Sequence, residues 1–100
     1  MSANTQLKLK ERKRGLIMPT IREQRSLLQS LADGMLIEAD DFANERLSVI
    51  AAEMRYAAGK ARTRDAMAIV GARAADQLMR ELGRKDDAFA IARAFLVGAK

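Results

Sequence analysis

The chain has 100 residues and a net charge of +5, is 49% apolar, and contains no histidine, cysteine or tryptophan. That composition lacks the side chain that most often moves protons at neutral pH, the strongest thiolate nucleophile and any disulfide. It speaks against most enzyme classes and for one small, non-catalytic binding domain with no cofactor and no metal. Apolar runs of only a few residues predict neither a membrane span nor a signal peptide, so a soluble cytoplasmic protein is expected.

Residues 1–34 hold seven Lys/Arg against three Asp/Glu, residues 35–62 four against five, and residues 63–100 seven against five. The surplus in the N-terminal third comes mainly from Lys8, Lys10, Arg12, Lys13 and Arg14, interleaved with Leu7, Leu9 and Glu11. Residues 1–18 show no clean periodicity and read as a basic arm, mobile or ordered by a partner, ahead of a helical domain over 19–100. Such a surplus suits an anionic partner surface, whether nucleic acid, an acidic protein face or anionic lipid; as a bland reading the arm is a solvated tail.

Thr20 and Glu23 have the spacing of a capping box, which predicts a helix from 21 to about 32, with Ile21, Leu27, Leu28 and Leu31 inward and Gly34 as its stop. Asp40 or Asp41 is expected to cap a second helix over 41–58. Its inward set is Ala43, Leu47, Ile50, Met54 and Ala57, widened by Phe42, Val49 and Tyr56, and Gly59 is its terminator. Thr63 opens a third, with Asp65 favourable at its positive end and Met67, Val70, Gly71, Ala74, Leu78 and Leu82 inward before Gly83. Its small residues around Gly71 allow a neighbouring helix to come close. Asp86 or Asp87 then opens a fourth, carrying Phe89, Ile91, Ala92, Phe95 and Leu96 and closing near Gly98. No period-two strand and no fixed repeat occurs, so the fold class is all-α, about four helices in a compact bundle or an orthogonal arrangement, between which the sequence does not decide.

Candidate sites are few. A helix-turn-helix centred on Gly71 has only Arg73 and Gln77 as base-reading side chains, and the apolar spacing continues through the glycine, so close packing is the preferred reading. The carboxylates Glu38, Asp40, Asp41, Glu45 and Glu53 lack a glycine-punctuated calcium loop and read as caps and solvated face. Isolated glycines make no phosphate loop, and Met54, Met67 and Met79 fall at core or near-core positions. The exposed charges expected to meet a partner are Arg22, Arg25, Asp40, Asp41, Glu45 and Arg46, together with the arm.

The stretch IREQRSLLQSLADGMLIEADDFANERLSVIAAEMRYAAGK, with the chain length and the absence of Cys and His, resembles the small all-helical anti-CRISPR proteins of phages and mobile elements that act on type I-F surveillance complexes. The resemblance implies a stoichiometric inhibitor in the host bacterial cell that docks on protein subunits of the RNA-guided complex and keeps target DNA out. That group shares no motif, so no residue roles carry over. Several such inhibitors are acidic DNA mimics; this chain is basic, which implies wedging between subunits or locking them instead. The alternative is a small basic DNA-binding transcriptional regulator.

Overall fold

The computed structural model describes residues 19–96, which form four α-helices and no strand. The basic arm over 1–18, with Lys8, Lys10, Arg12, Lys13 and Arg14, and the expected close of the last helix near Gly98 lie outside the described residues.

Helix α1 spans Ile21–Asp41. The capping box forms: the Glu23 amide donates to Thr20 Oγ1 at 3.0 Å, and the Thr20 amide donates to Glu23 Oε1 at 2.9 Å. The expected stop at residue 32 is wrong, because α1 continues through Gly34 for two more turns. Gly34 is exposed and carries no positive φ, so it offers no left-handed cap. Beyond it, Met35 and Ala39 extend the buried row begun by Gln24, Leu28 and Ala32. Burying a methionine contributes about 1.5–3 kcal/mol, more than the roughly 1 kcal/mol that glycine costs inside a helix. Since nothing lies within 4 Å of where a Gly34 Cβ would stand, Gly34→Ala is expected to stabilise the protein by about 0.5–1 kcal/mol. A thermal melt that fails to rise would show that α1 is not helical at this position.

Asp40 and Asp41 are the last residues of α1 and cap nothing. The Phe42 amide donates to Glu38 O and the Asn44 amide to Ala39 O, closing the turn, with Ala43 in the left-handed region at φ 53°. The cap of α2 (Glu45–Lys60) is Asn44, whose Oδ1 accepts from the Leu47 amide at 3.0 Å. Leu47, Ile50, Ala51, Met54 and Ala58 are buried, whereas Phe42 (76% exposed), Ala43, Val49 and Tyr56 (68%) do not join the core. Nor does Gly59 end α2. Helix α2 closes one residue later at Lys60, where the Arg25 guanidinium donates to the carbonyls of Ala58 (3.1 Å) and Ala61 (2.7 Å). A cation there satisfies acceptors that the helix end leaves unpaired.

Helix α3 (Arg64–Leu82) begins as expected at Thr63, whose Oγ1 accepts from the Ala66 amide, and stops at Gly83 with φ 63°. It runs unbroken through Gly71, which removes the helix-turn-helix. Met67, Gly71, Ala74 and Leu78 are buried, Val70 and Leu82 are half-buried, and Met79 is exposed rather than near the core. Helix α4 (Lys85–Leu96) has Asp86 and Asp87 in its first turn rather than at its cap. Ala88, Ile91 and Ala94 are buried and Phe95 half-buried, while Phe89 and Ala92 face solvent. The inward stripe is therefore rotated from the expected one, because the flank of α4 that meets Gly71 carries Ile91 and Phe95.

Pairings between helices fix the topology. Gln29 donates to Arg55 O and Arg25 to Ala58 O, so α1 and α2 are antiparallel. Arg46 reaches Glu81, Gly71 faces Phe95, and Arg64 donates to Pro19 O at 2.9 Å, giving an up-down-up-down bundle. Helix α1 touches all three others, whereas α2 and α4 do not meet. The core rests on Leu28, Leu47, Ile50, Met67, Leu78 and Ile91, with alanines filling the close crossings. Gln24 is the buried polar exception among the described residues, and its Oε1 accepts no hydrogen bond there. No helix of the described residues is long and apolar enough to cross a membrane.

Candidate binding surfaces

The helical body is electrically balanced. Residues 19–96 contain twelve Lys/Arg and twelve Asp/Glu, so the net positive charge of the chain belongs to residues 1–18 and Lys100. Within the body each end carries both signs with a surplus of one. Arg22, Arg25, Lys60, Arg62 and Arg64 outnumber Glu23 and Asp65 where α1 and α3 begin and α2 ends. Asp40, Asp41, Glu45, Glu81, Asp86 and Asp87, with Glu38, outnumber Arg46, Arg80, Arg84 and Lys85 at the opposite end.

The charges expected to act together are therefore split. Arg22 and Asp40 are separated along α1 by eighteen residues, about 27 Å at the helical rise. Arg22 is exposed and makes no ion pair among the described residues, but Arg25 is half-buried and occupied in closing α2. Arg46 and Glu81 form a bidentate pair, its longer arm 3.1 Å, that ties α2 to α3. The hydrogen bond from Arg46 holds the Glu81 carboxyl below its ordinary pKa, and the same bond raises Arg46. At the same end Arg84 donates to Glu38 at 2.7 Å and to Asp87, and these bonds raise its pKa further. Asp40, Asp41 and Glu45 remain exposed and free of ion pairs among the described residues, around the exposed Phe42.

A shallow polar depression beside α1 is bordered by Arg22, Ser26, Ser30 and the Arg55–Asp33 pair (2.7 Å). A second, more apolar surface was not apparent in the sequence. Between α2 and α3 runs a groove of about 540 Å³, floored by Met54, Val70 and Ala74. Tyr56 and Ile69, 68% and 59% exposed, stand on its two walls, as do Glu53 and Arg73 further along. Lys60 Nζ sits 5.4 Å from the centre of the Tyr56 ring. Among the described residues no cluster of three Asp or Glu side chains is arranged to hold a metal ion.

In comparisons with known proteins, the chain matches no family model, no curated protein and no solved structure.

Proposed function

We propose that this is a non-catalytic binding protein that inhibits a type I CRISPR surveillance complex of a bacterial host by docking on its protein subunits. The observation that carries the binding reading is a charge-balanced helical body with large apolar side chains left in solvent, Ile37, Phe42 and Phe89. Rigid helices presenting such residues dock with little ordering cost, so a modest interface suffices for tight binding. The choice of partner follows from the resemblance of residues 21–60 to helical anti-CRISPR proteins, which also implies a phage or mobile-element origin and action in the host cytoplasm. A helical body without net charge suits a wedge or a lock between subunits better than a DNA mimic.

Capture of a target duplex by guide-loaded complex, measured with increasing amounts of this protein, tests the proposal. Capture is expected to fall to background near one equivalent. The same variants sort the surface: reversing Asp40, Asp41 or Glu45 weakens inhibition with the fold intact, whereas reversing Arg25 lowers the melting temperature as well, because it unpairs the end of α2. Unchanged capture at several-fold excess, across more than one type I complex, overturns the inhibitor reading. The DNA-binding regulator then moves to first place, supported by the concentration of positive charge in residues 8–14. It requires duplex binding whose salt dependence flattens when residues 1–14 are removed.

A further inference from the structure

We infer that the α2–α3 groove is the self-association surface of this protein, and that its occupant is the same groove of a second copy, related by a two-fold axis running along it. The inference is independent of the inhibitor reading and rests on how charge and apolar groups are distributed across the two walls.

The register between the walls is set by the Arg46–Glu81 pair. From there Glu53 lies seven residues along α2 and Arg73 eight residues back along α3, about 11 and 12 Å, so the two stand level on opposite walls. Both line the groove, both are exposed, and no ion pair joins them within 4 Å. One turn nearer the Lys60 end, Tyr56 on α2 is level with Ile69 on α3. One turn in the other direction, Val49, 41% exposed, is level with Gln77.

A two-fold axis parallel to the groove brings α2 of one copy onto α3 of the other without changing level. Each Glu53 then meets the partner copy's arginine at position 73, and each Arg73 meets the other glutamate, so one acid and one base per chain give two complementary pairs. The same operation sets Tyr56 against the isoleucine at position 69 of the second copy, twice. Two helices from each copy enclose the apolar floor as a four-helix layer. A groove with both charges on one wall, or two of like sign, would not be self-complementary under this operation. Among the described residues the surface also has no cover, since α4 packs on α3 and α1 and does not touch α2.

Sedimentation velocity and light scattering on the full chain provide the test. The wild-type protein is expected to shift, with rising concentration, from 11.0 kDa to twice that mass. Glu53→Arg places two arginine pairs in the interface and Arg73→Glu two glutamate pairs, so each alone weakens the dimer by more than about tenfold. The double variant E53R/R73E restores it. Mixing the two single variants gives a stronger test: the mixed dimer has both pairs matched, so heterodimers form although neither variant pairs with itself. Far-UV circular dichroism of each single variant should match wild type, as should melting at concentrations where the wild type is itself monomeric, because neither residue makes an ion pair among the described residues. A wild-type protein monomeric at every concentration overturns the inference and leaves the groove to a different partner. A dimer indifferent to both reversals, or one that neither the double variant nor the mixture rescues, overturns it as well.

Discussion

Ile50→Asp is expected to unfold the protein. Ile50 is fully buried at the middle of α2 and belongs to the one core that Leu28, Leu47, Met67, Leu78 and Ile91 share. The substitution removes an apolar side chain worth about 1.5–3 kcal/mol and puts a carboxyl where no described basic side chain is buried to pair it. Together these cost several kcal/mol against a total stability of roughly 5–10 kcal/mol for a domain of this size. Far-UV ellipticity at 222 nm should fall to near that of an unfolded chain, and the cooperative melt should be lost. The comparison is Ala52→Asp, two residues on and exposed, which pays only the weaker helix propensity of aspartate, about 0.5 kcal/mol. Wild-type ellipticity and melting for Ile50→Asp, or equal damage from both variants, would mean that the inward face of α2 is wrongly assigned.

The elements that were legible in the sequence are those decided by local hydrogen bonds. Thr20 with Glu23, Thr63, and Gly83 in its left-handed conformation each form within a few residues of chain, and each stands where its chemistry predicts. What the sequence concealed is decided by contacts between helices. Gly34 and Gly59 have the same local signature as Gly83, yet helix continues through both, because buried or hydrogen-bonded groups lie beyond them. Asp40 and Asp41 are as good caps as Asn44; the choice falls to Asn44 once Met35 and Ala39 have drawn α1 onward. In α4 the rows through Ala88 and Phe89 are both apolar, and the approach to Gly71 selects between them. The groove was illegible for the same reason. Val49 and Tyr56 are as apolar as their neighbours Ile50 and Ala57, and they are exposed only because α4 leaves α2 uncovered, a fact of topology rather than of periodicity.

Gly71→Leu is expected to separate α4 from α3. A Cβ on Gly71 would stand 2.5 Å from Phe95 Cε2 and 2.9 Å from Phe95 Cζ, closer than carbon atoms pack, and 3.4 Å from Ile91 Cγ2, already in contact. An alanine asks the Phe95 ring to swing aside. A leucine adds three more carbons in the same space, which the ring alone cannot vacate, so the helix axes must part and expose Ile91 and Ala94. Helix propensity favours leucine over glycine by about 0.5–1 kcal/mol, but overpacking at such a crossing costs about 1–3 kcal/mol and lost burial of Ile91 adds a comparable amount. The net effect is a destabilisation of about 2–4 kcal/mol, read as a large drop in melting temperature, with Gly71→Ala between it and wild type. Phe95→Ala in the Gly71→Leu background empties the space the leucine needs and should return part of the loss, so the two substitutions are non-additive with a favourable coupling. If Gly71→Leu melts at or above wild type, or if Phe95→Ala costs the same in both backgrounds, α3 and α4 do not make this crossing.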